Sequence, residues 1–303
     1  MSGTVFSELS SKLSSSYFYY DAEMKNYSSM RVGGKPAALI IVEDSEDFIR
    51  IFDFFRNKEY KLVIIGKCSN MIFGDNLKNY VVIGLGENFN KISVNDNLMN
   101  CSAGVPLQQA VRKTAEFGLS GFEWAMGIPG TIGGAITNNA GSGNRSVIDS
   151  AESVMVINYY GERRIIKPSE LNPAYRTTDI KIRKNLIILG AVFRFEKADR
   201  LSVLNSLNEN FTAKQNSQPL NEFSAGCIFK NPEGLSAGKL IDESGLKGKI
   251  IGGAGISTKH ANFIINSNNA SFADIMNLID LIKNTVLKKF NIELELEVEI
   301  ISG

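Results

Sequence analysis

The chain has 303 residues, 44% apolar and 21% charged, which suits a globular enzyme with a sizeable core and more than one domain. Its 33 basic and 32 acidic residues leave a net charge of +1, so neither a nucleic-acid stripe nor an acidic-lipid patch is expected. A single histidine rules out a multi-histidine metal site, and three widely spaced cysteines read as reduced thiols in a cytoplasm.

The N-terminal residues lack a basic region followed by an apolar stretch, so no secretory signal is expected, and the apolar runs fall far short of a membrane span. The first half alternates strand and helix signals. Residues 38–42 read as a buried strand, and from Asp44 onward Phe48, Ile51, Phe52 and Phe55 recur at the spacing of one helical face. Residues 61–65 form a second strand ending abruptly at Gly66, and residues 81–83 a third, followed by Gly84 and Gly86. Pro106 opens a helix where its missing N–H costs nothing, with Gly118 as the stop.

Further on, residues 153–159 alternate as a strand, turn at Tyr160-Gly161 and return over 164–167, and residues 186–195 form a longer strand. A polar helix over 201–214 leads to a C-terminal unit. There residues 227–229 look strand-like, 237–244 form a short helix, and further strands fall at 249–252 and 262–265. Ser271 and Asp274 form a capping box that starts another helix. An alternating strand over 292–301 closes the chain, with Glu293, Glu295, Glu297 and Glu299 on one face, which would ordinarily be a solvated edge. The expected domains are 1–200, in two subdomains of about 1–85 and 86–200, and 201–303.

Two segments have the shape of a ligand site. Residues 121–141 carry glycines at 121, 127, 130, 133, 134 and 141 among apolar Ile128, Ile132 and Ile136, followed by Asn138-Asn139. Glycine lets a ligand approach the main chain closely, so this backbone suits a large, flat or phosphorylated ligand. About sixty residues earlier, Gly66-Lys67-Cys68-Ser69-Asn70 follows a strand and offers successive N–H groups, as phosphate nests do. Together the two suggest a dinucleotide site. Gly84-Leu85-Gly86 lacks the third glycine of a Rossmann fingerprint and reads as a decoy. Taken singly, Arg176 reads as a surface cation, Cys227 as a small buried hydrophobe and His260 as a supporting residue of a core.

These segments, with Met30-Arg31-Val32-Gly33-Gly34, Tyr175-Arg176, the stretch 225–232, Lys259-His260-Ala261-Asn262-Phe263 and Leu296-Glu297-Val298, resemble the UDP-N-acetylenolpyruvoylglucosamine reductase family in order and over nearly the whole chain. The resemblance implies an α+β fold: an FAD-binding module of the vanillyl-alcohol-oxidase (PCMH) type in two subdomains, plus a C-terminal α+β substrate domain. It implies non-covalent FAD held by Gly66, Lys67, Cys68, Ser69 and Asn70 near the pyrophosphate, and by Gly127, Ile128, Gly130, Thr131, Gly133, Gly134, Asn139, Ala140 and Gly141 along the phosphates and ring.

By the same resemblance, NADPH reduces the flavin, which passes a hydride to the methylene carbon of UDP-N-acetylglucosamine enolpyruvate. Arg176 and Glu297 would steady the enolate charge, with Glu297 protonated or sharing a proton with the arginine site. Cys227 stands where the family commonly has serine and would donate the proton; a thiol in water titrates near about 8.5 and is mostly protonated at neutral pH. Tyr175, Lys230 and Asn231 would lie beside the substrate. Thr178 replaces the usual serine, and the chain looks like the shorter form, without a tyrosine-bearing loop. The expected partners are small molecules only, with no nucleic acid or membrane, and the chain acting as a monomer. A different flavin oxidoreductase using oxygen, or a non-enzymatic nucleotide-binding protein of this fold, is the alternative.

Overall fold

The computed structural model of the chain describes residues 2–183 and 185–303. Contacts divide it into two units. The first comprises Met1–Tyr20, Ala37–Gly66 and Asn79–Ala213, the second Asp21–Pro36, Lys67–Lys78 and Lys214–Gly303. The sequence reading assigned all of 1–200 to one domain. Two short segments of that stretch, 21–36 and 67–78, instead pack with the C-terminal residues. Periodicity places elements along a chain but does not say which distant elements they join.

The first unit contains two apolar cores. One lies under a sheet in the order Tyr17–Tyr19, Lys35–Val42, Asn76–Leu85, Lys61–Ile65. The helix Ser45–Phe55 buries Phe48, Ile51, Phe52 and Phe55 there against Ala38, Ile40, Val42, Val81 and Ile83. Asp44 caps that helix by accepting from the Glu46 N–H. In its first turn, Asp47 is fully buried and accepts from the Ser14 and Ser15 N–H groups, the Ser16 hydroxyl and Arg50 Nη1. Lys61–Ile65 pairs in parallel with Asn76–Leu85. Parallel neighbours cannot be joined by a hairpin, and here the connection is the long excursion over residues 66–75.

The second core of this unit lies under an antiparallel sheet in the order Arg163–Ile166, Ala151–Asn158, Leu186–Arg194, Leu98–Ser102, Ile92–Asn95. The helix Leu107–Glu116 buries Leu107, Ala110, Val111 and Ala115 in it, as its 3.6-residue spacing predicts, and the short helix Ile132–Thr137 contributes Ile132 and Ile136.

The second unit has a sheet in the order Ser224–Cys227, Phe263–Asn266, Ala254–Ile256, Ile250–Ile251, with the helix Phe272–Phe290 contributing to its core. That helix starts at the expected capping box of Ser271 and Asp274. Met30, Val32 and Ile72 reach this core from the N-terminal half.

Two expected strands differ. The one over 227–229 is observed at Ser224–Cys227: a bulge around Gly226 (φ 78°) shifts its register, the ladder ends at Cys227, and the Asn262 side chain takes over the Phe229 backbone. The closing strand over 292–301 is a ladder only at Glu299–Ile301, parallel to Met71–Phe73, with one isolated bridge between Phe229 and Leu296. Its alternating burial survives over 293–298, with Leu294 and Val298 inside, but the bulged neighbour cannot offer it a continuous edge.

Candidate active site

In the first unit the two glycine elements meet. A Cβ at Gly66, which ends the strand Lys61–Ile65, would lie 2.5 Å from Thr131 Oγ1. Thr131 in turn caps the helix Ile132–Thr137 by accepting from the Gly134 N–H. The next donors of that helix are used within the chain: the Ile132 N–H bonds to Val105 O and the Gly133 N–H to Ala103 O. A Cβ at Gly133 would lie 3.0 Å from that of Ala103, so glycine here is a condition of close packing. Gly127 (φ 85°) and Gly130 (φ 127°) take the left-handed conformations that glycine tolerates. Asn139 adopts φ 43° as well; its Oδ1 is buried and accepts no hydrogen bond among the described residues.

The Tyr175-Arg176 pair lies in a tight turn closed by reciprocal bonds between Ala174 and Thr177. Arg176 is partly buried at φ 59°, and its guanidinium lies 5.2 Å from the exposed Tyr175 ring. The decoy reading of Gly84-Leu85-Gly86 fits what surrounds it: the Glu87 and Asn88 N–H groups that a phosphate would need donate to the Glu43 carboxylate.

In the second unit the segments of Cys227 and Glu297, seventy residues apart, meet through the backbone next to Cys227, the Glu297 N–H donating to Ile228 O at 2.8 Å. Asn70 braces the same place: its Nδ2 donates to Glu297 O, and its carbonyl accepts from the Glu299 N–H. The carbonyl of Ser69 lies 3.9 Å from where a Cβ on Gly226 would be. Cys68 is buried at φ 48°, and desolvation pushes its thiol up to about 12, so it stays protonated. Lys230 pairs with Glu295 at 3.2 Å; Glu295 is exposed, so a substrate anion could displace it at little cost. Asn231 accepts from the Ala237 N–H at the start of the helix Ala237–Glu243.

Asn262 is the residue whose role sequence reasoning missed. It is buried, its Oδ1 accepts from the Phe229 N–H and its Nδ2 donates to Phe229 O, while its own carbonyl accepts from the Ile228 N–H. It therefore fixes the bend that carries Cys227. His260 supports this turn, its Nδ1 accepting from the Asn262 N–H. Burial, and then the charge of Lys247, hold its pKa below the usual histidine value, consistent with a supporting role.

An acceptor that has no donor among the described residues, Asn139 Oδ1, fits a ligand that offers N–H or O–H donors close to the main chain, as FAD would. The comparisons agree. Residues 36–166 match the family described as an FAD binding domain. Residues 218–301 match the C-terminal domain of UDP-N-acetylenolpyruvoylglucosamine reductase. The chain is thus an FAD-dependent oxidoreductase, α+β in fold, with a PCMH-type FAD module and a distinct C-terminal domain.

The reductase of Geobacillus kaustophilus is 38% identical over 93% of this chain and 92% of its own. That of Alkaliphilus oremlandii is 37% identical over the same shares. The crystal structure of the reductase from Thermus caldophilus superimposes with a TM-score of 0.81 at 32% identity, covering 95% of this chain and 99% of that one. The chain belongs to the UDP-N-acetylenolpyruvoylglucosamine reductase family.

Proposed function

We propose that the chain reduces UDP-N-acetylglucosamine enolpyruvate to UDP-N-acetylmuramate with NADPH as the donor, acting as a cytoplasmic monomer in peptidoglycan precursor synthesis. The observation that carries the reading is the Glu297 N–H bond to Ile228 O, which brings the backbone beside Cys227 next to the segment of Glu297 within a chain of this family.

When bound, FAD supplies the hydride carrier between NADPH and the enolpyruvyl methylene carbon. The residues proposed to hold it are Gly66 to Asn70 and the glycine-rich stretch, with Asn139 Oδ1 offering an acceptor. Arg176 provides a fixed positive charge for the substrate carboxylate, where negative charge develops as the methylene carbon gains a hydride; Glu297 shares that duty by hydrogen bonding. Cys227 gives its proton to the adjacent carbon, so the alkene gains one hydride and one proton. Tyr175, Lys230 and Asn231 line the substrate.

The test is the consumption of NADPH by the purified yellow protein with and without the enolpyruvyl substrate. Strong stimulation by the substrate is expected, and a yellow protein indifferent to it would sink the reading.

A further inference from the structure

We propose that Thr178 is a positioning residue for Arg176, its buried hydroxyl anchoring the arginine turn to the end of the glycine-rich stretch. The inference rests on the reading of Arg176 given above.

A non-glycine residue in the left-handed region is held there against a cost of about 1–2 kcal/mol, so the Arg176 turn needs fastening from outside itself. Thr178 has no exposed surface, and its Oγ1 donates to Thr137 O at 2.8 Å. Thr137 is the last residue of the helix Ile132–Thr137, where carbonyls lack a partner within the helix. Two further contacts follow on alternate positions of the same strip. Asn139 Nδ2 donates to Ala174 O at 3.0 Å. A Cβ at Gly141 would lie 3.2 Å from Arg176 Nη1, so the guanidinium rests over a glycine. Lys181 Nζ reaches Arg176 O at 3.4 Å from the other side.

Of these contacts, the Thr178 bond is the one made by a fully buried side chain of the arginine's own segment. It also accounts for the exchange of the usual serine for threonine: the hydroxyl makes the bond, and both residues have it. A cation that must face charge developing in the transition state is sensitive to placement, and a shift of about 1 Å can cost about a hundredfold in rate. Thr178 therefore acts on the reaction without touching substrate or cofactor.

The test separates the two half-reactions of the holoenzyme in rapid mixing. Thr178→Val, which keeps the shape and removes the hydroxyl, should slow reoxidation of NADPH-reduced enzyme by substrate about tenfold to a hundredfold. Flavin content, the rate of reduction by NADPH and KM for the substrate should stay near wild type, and Thr178→Ser should restore the lost rate. Adding Thr178→Val to Arg176→Ala should slow the reaction no further, because the two act as one unit. If Thr178→Val does not accumulate as folded protein, Thr178→Ala takes its place in the same assays. The proposal is overturned if the hydroxyl-free variant reoxidises at the wild-type rate, if both half-reactions fall alike, or if the double variant is slower by the full single-variant factor. Arg176→Ala alone tells the two failures apart. A normal rate there removes the reading of Arg176 itself, whereas a slow Arg176→Ala beside a normal Thr178→Val removes only the positioning role.

Discussion

Cys227 differs from the other two cysteines in being partly exposed, and that separates their chemistry. Burial pushes the thiols of Cys68 and Cys101 up to about 12, which leaves them inert, protonated packing groups. Cys227 follows Gly226, whose missing side chain leaves its flank open apart from the Ser69 carbonyl. Cys227→Ala should leave NADPH reduction of the flavin intact while slowing reoxidation by substrate about 10²–10⁴-fold, measured in separate half-reactions. Cys227→Ser should recover much of the rate; an alanine variant with wild-type turnover would remove the thiol from the reaction. Cys227 was a candidate from the sequence through the resemblance alone, which puts it where the family commonly has serine; taken singly it read as a small buried hydrophobe. The role of Asn262 was not legible in sequence. A side chain that hydrogen-bonds a distant backbone leaves no periodicity to read, and its partners at 228 and 229 become visible only when the bend is folded.

Helices whose apolar residues fall on one face, such as Ser45–Phe55 and Leu107–Glu116, and the capped start of Phe272–Phe290 were legible in sequence, since periodicity and caps are local. The closing segment was harder. Alternation over 292–301 describes which side chains are buried, yet a strand also needs an edge to pair with, and the bulge at Gly226 interrupts that edge. Asp47 was invisible for a related reason: its partners at Ser14, Ser15 and Ser16 lie about thirty residues away on an irregular segment. Burial would raise the Asp47 pKa, but hydrogen bonds from Ser16, Ser14, Arg50 and Ser15 outweigh it, and the carboxyl is held below its ordinary value. A lowered folded pKa contributes stability that is complete above the unfolded value of about 3.9 and fades as pH falls through the folded value. Asp47→Asn should therefore cost about 1–3 kcal/mol at neutral pH and flatten the loss of stability below about pH 4. Thermal unfolding at neutral and acid pH checks this; parallel curves for the two proteins would show that Asp47 does not carry the acid sensitivity.

For the whole molecule, the consequence of the discontinuous units is that a C-terminal piece is incomplete by itself. Residues 214–303 hold most of the second core but lack Met30, Val32 and Ile72, and lose the Met71–Phe73 partner of the strand Glu299–Ile301. Deleting three buried apolar side chains at about 2 kcal/mol each removes about 6 kcal/mol, comparable with the whole stability of a small domain. A fragment of residues 214–303 should show no cooperative unfolding transition by circular dichroism; a sharp transition would show that the excursions at 21–36 and 67–78 are dispensable. The sequence could show that a cofactor-shaped stretch and a set of candidate reacting residues coexist, since glycine spacing and motif order are properties of the chain. Which segments share a core depends on packing between residues far apart, and that is not written in any window. The central claim, that this chain reduces an enolpyruvyl group, is tested most directly by running the NADPH assay without oxygen. The holoenzyme is bleached with one equivalent of NADPH and then given UDP-N-acetylglucosamine enolpyruvate. The flavin colour should return at once, with a product heavier than the substrate by one hydride and one proton; a flavin that stays bleached until air is admitted would contradict the account.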